Sequence, residues 1–550
     1  MKELIRPNGF GPFYCEGQEI LRQIFVSVRD RHWREISPTE WNCSVHEARR
    51  EIGIVARHVS ELVDFAWAGT LEVNPNGRTL RFSFEGKAKR PMEICRLGLI
   101  VLHPVDATRG AQMSTRGPEG AQSVIVSEMI APQPIVDGYP RAMTPPFDSL
   151  TLARADIGRL ELKFGGDLFE IEDQRNWGDA SFKTYCTPLK MGFPRRVESG
   201  THIAHRLDVE FSPAARLSAA TQDRFECPRG TFPPIGCERS GRSVTEAAAL
   251  HWHHVHIDPG ELPAGEALTQ AADVPLEIGV DSVGCEDPPP ALLSWIYEHR
   301  GRVARLLLYG PEISAPSLAV LDRWRRVLDD QGDEALPLFA AVRGYFLEFN
   351  RGTGEPQGAI GLAFPLTATV HANDPMTIAE NVATIADIAQ TARHTLRATA
   401  LAVSPIALYH PVSARSDSFP DALVAPWLAA TLLHAAVAGV ASVTLASDVI
   451  TQAPTAILRR LLQCTGSPVT LLPQAPNASV HAATLHQEGT TMVHLLAVNL
   501  SASPAPLDLG ATLGRIHSLA EIRDREVSPI AGTGVELTAF GVHWFRCALV

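Results

Sequence analysis

Apolar and polar residues alternate with period two through much of the first 245 residues. In Thr79–Gly86 the apolar positions Leu80, Phe82 and Phe84 are separated by Arg81, Ser83 and Glu85, the signature of a half-buried strand. Leu150–Leu152, Leu160–Phe164 and His202–Phe211 repeat the pattern, and the more continuous run Ile94–Leu102 suits an interior strand. Asn74-Pro75-Asn76-Gly77 and Gly165-Gly166-Asp167 supply turns between such runs. Many antiparallel strands of this length predict a β-sandwich over residues 1–245. His46–Ala66 stands apart. Its apolar residues recur at three and four (Ile52, Val55, Ala56, Val59, Leu62, Val63), which predicts a helix, with strands as the alternative. Residues 213–247, with Pro228-Arg229-Gly230 and Pro233-Pro234, read as a linker or crossover.

From about residue 250 the rhythm becomes strand–helix. Strands are expected at His251–Asp258, Leu276–Val280, Val303–Tyr309, Leu338–Val342, Ala359–Ala363, Ala398–Val403 and Ser442–Ala446. Helices are expected at Glu266–Ala272, Pro290–His299, Ser317–Asp330, Ile378–Thr395 and Ala422–Ala438. This alternation predicts a TIM-barrel-like (β/α) domain over 246–465 with one weak or missing unit; a doubly wound open sheet is the runner-up. Residues 466–550 return to β, with strands at Val493–Leu500, Val535–Phe540 and Val542–Phe545 forming a small C-terminal β-sandwich. The fold class is therefore multidomain, α/β plus β.

Composition narrows the function. A chain of 550 residues exceeds one ordinary domain, and 45% hydrophobic with 20% charged residues is ordinary globular usage. A net charge of −12 argues against nucleic acid or an anionic membrane as partner. Nine cysteines are too sparse for a disulfide scaffold, and none has zinc-ligand spacing. Met1–Pro7 lacks the apolar core of a signal peptide, and the apolar stretch 422–447 is interrupted by Pro426, His434 and Gly439, as suits a buried helix rather than a span. These features predict a cytoplasmic bacterial enzyme. There is no G-x-G-x-x-G after a first strand, no Walker loop and no G-x-S-x-G elbow, so no cofactor and no serine nucleophile are expected.

Candidate chemistry gathers in four places. Residues 169–187 crowd Glu170, Glu172, Asp173, Gln174, Arg175, Asn176, Asp179 and Lys183 among Phe169, Trp177, Phe182 and Tyr185. That mixture suits a polar site walled by rings, or else a strand and turn whose charges pair with one another. After the expected fourth strand, Leu338–Val342, Glu348 and Asn350 lie two apart and share a face if the strand continues. A carboxylate beside an amide offers a general base and an oxyanion donor; an ion pair of Glu348 with Arg351 or Arg343 is the alternative. Glycosidases of the large TIM-barrel clan also carry a glutamate near the end of strand four. After the fifth strand, His371 is the best-placed proton shuttle, and Asp374 before Pro375 reads as a helix cap. In the expected first strand, His254, His256 and Asp258 share a face. Alternate residues on a strand lie ~6.6–7 Å apart, wide for ligands of one ion, so no metal site is assigned and activity is expected to survive chelation. Asp258 remains a substrate ligand.

Glu172-Asp173-Gln174-Arg175-Asn176-Trp177 followed by Asp179-Ala180-Ser181-Phe182-Lys183-Thr184-Tyr185 resembles the signature of the D-apionate lactonase family. Further echoes are Arg96–Leu99, Val101–Pro104, Pro146–Asp148, Glu348–Arg351, Val370–Ala372 and Ala497–Leu500. The resemblance implies a bacterial sugar-acid lactonase with a β-rich N-terminal domain, a TIM barrel and a small β-rich C-terminal domain. The chain departs from the family at Ser442–Val449, where a glutamate and glycine-rich turn are expected, and 448–470 looks shortened, so it is a divergent member. The reading is a hydrolase that opens a small sugar-acid lactone. Glu348 or His371 takes a proton from water, Asn350 with Arg175 stabilises the oxyanion, and Glu172, Asp173, Asn176 and Asp258 bind substrate. The alternatives are a TIM-barrel glycoside hydrolase using Glu348 with Asp448, and a non-catalytic carbohydrate-binding protein. The oligomeric state is not legible.

Overall fold

The computed structural model describes residues 1–214, 227–238, 250–258, 274–283, 287–332, 336–351, 361–371, 374–409, 419–473, 479–486, 492–513, 516–523 and 526–549. The chain divides into two compact units, Met1–Arg175 with Ala180–Asp223, and Asn176–Asp179 with Arg224–Val550.

The first unit is a β-sandwich. One sheet has seven strands, among them Gln23–Asp30, Met92–Pro104, Glu170–Asp173 and Ser181–Tyr185. The other has nine, running from Gly120–Ile125 to Pro38–His46. Alternation supplies the core: Ile24, Val26, Val28, Leu97, Leu99 and Val101 from the first sheet join Phe65, Trp67, Phe82, Phe84, Leu160, Leu162, Leu207 and Val209 from the second in one buried cluster. The helix expected over His46–Ala66 is not there. The segment forms a short 3-10 turn at Glu47–Arg49 and the strands Glu51–Val59 and Asp64–Val73. Burial there alternates strictly, with Ile52, Ile54, Ala56 and His58 inside.

The second unit holds a closed barrel of eight parallel strands. They are β1 (Ile235–Glu238), β2 (Val255–Ile257), β3 (Leu276–Asp281), β4 (Val303–Tyr309), β5 (Leu338–Ala341), β6 (Gly361–Leu366), β7 (Leu401–Ile406) and β8 (Ser442–Leu445). The unit missing from the sequence reading is β1, which lies inside the stretch taken as a linker. Its neighbours on both sides are barrel strands, β2 and β8. Every later strand therefore moves up by one, and Leu338–Ala341 is the fifth strand, not the fourth. The expected helix Glu266–Ala272 lies outside the described residues. Helices Pro290–Glu298, Leu318–Asp330 and Asp421–Val437 occur close to their expected bounds, while Ile378–Thr395 is two helices, Pro375–Asn381 and Thr384–His394. Asp374 caps the first of these, accepting the Thr377 N–H at 3.1 Å, with Pro375 in the first turn.

Arg229–Thr231, just before β1, pairs with Pro468–Leu471 and so joins a seven-stranded C-terminal sheet that includes Val480–His486, Met492–Asn499 and Val542–Leu549. A separate two-stranded sheet, Ala505–Asp508 with Gly534–Leu537, contributes Leu537 to the same core as Leu495, Ala497 and Phe545. Among the described residues no helix is long and apolar enough to cross a membrane.

Candidate functional site

The charge-rich run 169–187 is a hairpin. Glu170–Asp173 pairs antiparallel with Ser181–Tyr185, and the 3-10 turn Gln174–Trp177 joins them. Its register sets Glu172 opposite Lys183 and Asp173 opposite Phe182. Glu172 and Lys183 form a buried ion pair at 2.6 Å. Burial pulls the Lys183 ammonium down to about 8 against the opposing pull of Glu172. Arg175 is fully buried and grips Asp173 with two guanidinium nitrogens, at 2.9 and 2.8 Å, while its face lies on Phe182. Asp173 also accepts the Ala131 N–H at 2.9 Å. Glu172, Asp173 and Arg175 thus sit in a network of partners inside the sandwich unit.

The next four residues belong to the barrel unit. The Asn176 side-chain carbonyl accepts from Asn350 Nδ2 at 2.9 Å, and both amides are buried. Asp179 Oδ2 lies 2.5 Å from His371 Nδ1, and Asp179 Oδ1 accepts from Asn381 Nδ2 at 3.1 Å. Trp177 meets the His371 ring edge-on, with centroids 5.6 Å apart. Thr367 and Thr369 both donate to the Leu408 carbonyl, at 3.0 and 2.8 Å, which ties the segment after β6 to the one after β7. The result is a buried Asn381–Asp179 support behind an imidazole that keeps 16% of its side-chain surface exposed. A carboxylate on Nδ1 fixes the tautomer and directs proton exchange to Nε2.

Glu348 is placed differently from expectation. It ends a 3-10 turn, Phe346–Glu348, rather than a continued strand, so the two-residue alternation with Asn350 does not apply. Its carboxylate receives Arg351 Nε at 3.0 Å and Nη2 at 3.3 Å. Asp448 accepts the backbone N–H groups of Leu408, Tyr409 and Val449.

A second polar cluster fills the barrel. Glu277 on β3 is fully buried, and its Oε1 takes hydrogen bonds from His256 Nδ1 (3.0 Å), Ser404 Oγ (2.7 Å) and Thr444 Oγ1 (2.9 Å). Arg305 Nε lies 3.4 Å from Oε2. Burial alone would raise the Glu277 carboxyl, but the His256 hydrogen bond and the nearby charges of His256 and Arg305 bring it well below the usual range. His254 is committed to Thr444 at 2.9 Å, and burial lowers it to about 4. His254, His256 and Asp258 do not converge as metal ligands. Among the described residues the one converging group is Asp167, Cys186 and His205 in the sandwich. There His205 Nδ1 accepts the Leu99 N–H and Cys186 Sγ contacts the Leu97 carbonyl, so backbone partners already hold both.

Sequence reasoning missed Asn381, Glu277 and Glu238, and left Asp179 without a role. Asn381 is a single amide within a helix, and Glu238 sat in the stretch read as a linker. Glu277 carried a signal: a lone acid in Leu276-Glu277-Ile278-Gly279-Val280, where a buried strand allows a charge only with partners.

The family model for the D-apionate lactonase N-terminal domain matches residues 6–214, and that for the TIM-barrel domain of the same family matches 314–417. The chain belongs to the D-apionate lactonase family. Its match to the D-apionate lactonase of Brucella anthropi is 30% identical over 208 residues, 37% of this chain and 32% of the relative, so it spans about a third of that protein's length. The lactonase-family chain also aligns with a β-arabinopyranosidase structure (11% identity, TM-score 0.36, 96% of this chain and 95% of that one). A GH30 endoxylanase from Clostridium papyrosolvens aligns at 8% identity and TM-score 0.38, over 58% of this chain and 98% of that one. Likenesses at these scores carry no functional argument.

Proposed function

We propose that this family member opens a sugar-acid lactone by base-activated water. The observation that carries the reading is the Asn381–Asp179–His371 chain just past the C-terminal end of β6. That face is where barrel enzymes hold their chemistry. His371 takes a proton from water through Nε2 as the oxygen attacks the lactone carbonyl, and Asp179 stabilises the imidazolium that forms. Asn350, oriented by Asn176, polarises the carbonyl oxygen. Asp258, following β2, binds a substrate hydroxyl.

Both oxygens of Glu348 are engaged by Arg351, which leaves the carboxylate committed to that partner rather than to water. We assign it to orienting Arg351. Glu172, Asp173 and Arg175 are assigned to holding their own hairpin in the sandwich unit, rather than to touching substrate. The same accounting disfavours the glycosidase alternative, since Glu348 is held by Arg351 and Asp448 by three backbone N–H groups.

The test is kinetic. His371→Gln and Asp179→Asn are each expected to lower kcat for lactone opening by about 10²-fold or more, the usual scale for a general base, with the unfolding midpoint of Asp179→Asn monitored in parallel. Unchanged rates in a folded His371→Gln protein would remove the base from this position.

A further inference from the structure

Opening a lactone requires two proton transfers. Water loses one as it attacks, and the ring oxygen must gain one as the C–O bond breaks, because an alkoxide leaves poorly. The Asp179–His371 pair accounts for the first only.

The register of the barrel sets Glu238 beside His256 and His256 beside Glu277 on β1, β2 and β3, with Arg305 next on β4. Residues paired across parallel strands share a face, and the His256, Glu277 and Arg305 contacts put that face inside the barrel. The arrangement is polarised along the barrel axis. Glu277 has no exposed surface, whereas the His256 side chain keeps 13%. Nδ1 of the imidazole is bonded to Glu277 below. The other edge of the ring reaches Gly279, two residues nearer the C-terminal end of β3. A Cβ on Gly279 would lie 2.9 Å from His256 Cε1, 3.1 Å from Nε2 and 3.0 Å from the Tyr309 ring. Only a glycine leaves room there for both rings, and Tyr309 is the last residue of β4. His256 therefore spans the sealed carboxylate and the mouth.

The groups around it hold a proton on the ring. Burial pushes His256 down, but the Glu277 hydrogen bond and charge outweigh that, Asp258 and Glu238 add to it, and the net shift is upward. Arg305 acts on the partner Glu277 and helps to keep it ionised. Tyr309 stays neutral, since burial raises its phenol far above the ordinary range. Three strands lie between β2 and β6 in either direction around the closed barrel, so His256 and His371 belong to opposite sides of the mouth. An acid on one wall and a base on the other can flank a single carbonyl carbon, to which the attacking and departing oxygens are both bound.

We propose that His256, held by Glu277, is the general acid that protonates the ring oxygen as the lactone opens. This rests on the lactonase reading above. Water oxygen bonds to the carbonyl carbon and its proton passes to His371. The bond from that carbon to the ring oxygen breaks, and the His256 Nε2 proton passes to the departing oxygen. The product acid ionises, and both imidazoles re-equilibrate with solvent. Glu277 is a positioning residue that acts through His256.

The experiment compares a sugar-acid γ-lactone with its thiolactone, in which sulfur replaces the ring oxygen and the thiolate leaves without a proton. His256→Gln is expected to lower kcat on the lactone by about 10²-fold and on the thiolactone by less than about threefold. Glu277→Gln is expected to move the alkaline limb of the kcat profile to lower pH, because the ring loses the partner that holds its proton. Equal losses on both substrates, or a Glu277→Gln profile lowered at every pH with its limb unmoved, would overturn the proposal while leaving the lactonase reading intact. A wild-type chain that opens neither substrate would overturn both. Should His256→Gln fail to fold, the limb shift in Glu277→Gln decides alone.

Discussion

Glu172 and Lys183 show how a structural ion pair can imitate a binding site in sequence. They lie 11 positions apart and meet only because the turn Gln174–Trp177 folds one strand back on the other. Nothing in the linear pattern says which acid faces the lysine. Both side chains are 7% exposed, so each depends on the other for its charge. Lys183→Met is expected to destabilise the chain by about 3–5 kcal/mol, because it leaves a buried carboxylate unpaired. The double variant with Glu172→Leu should recover much of that loss. Urea unfolding of the two variants checks this, and a double variant no better than the single would mean that Gln133, which also bonds Glu172, carries the carboxylate alone. The candidate residues themselves were partly legible. His371, Asn350 and Asn176 could be named from the run of residue types, but the support behind His371, Asp179 with Asn381, joins residues about 200 positions apart and only the fold reveals it.

At the scale of elements, alternation read the long sandwich strands correctly and failed where both faces carry apolar residues. Val55 and Val59 are exposed, at 56% and 39%, yet they completed a helical spacing with Ile52 and Ala56. β1 failed for a different reason. Four residues, Ile-Gly-Cys-Glu, offer too short a run to show a period, and Pro233-Pro234 before them read as a break. Closure of the barrel makes the strand, since β2 and β8 both lack a neighbour without it. Gly236 is essential there. An added Cβ would stand 2.3 Å from the His254 ring. Gly236→Ala is expected to displace His254 from Thr444 and lower stability by about 1–3 kcal/mol, the usual cost of overpacking. An unaltered unfolding midpoint would show that His254 moves freely and that the network around Glu277 does not depend on it.

Over the whole molecule, the order of a sandwich, a barrel and a C-terminal sheet followed from the change of period along the chain, and the family resemblance rested mainly on the run from Glu172 to Tyr185. Acid sensitivity is a property of the same scale. Burial lowers His103 to about 3 and both His205 and His254 to about 4, in the sandwich and in the barrel alike. Each is neutral when folded, but an unfolded histidine binds its proton near pH 6.5. Their stabilising contribution is therefore complete above that pH and is lost as pH falls toward 4, at about 3 kcal/mol for each of His205 and His254. Unfolding midpoints should decline steadily from pH 6.5 downward, before most carboxylates titrate; a flat midpoint between pH 7 and 5 contradicts this. The most direct test of the central claim is a pH-stat measurement on the purified full chain, offered D-apionolactone and, separately, aryl glycosides. The account predicts steady acid release from the lactone, lowered about 10²-fold or more in His371→Gln, and no reducing sugar from the glycosides. Reducing sugar without acid, or acid release unchanged in His371→Gln, would contradict it.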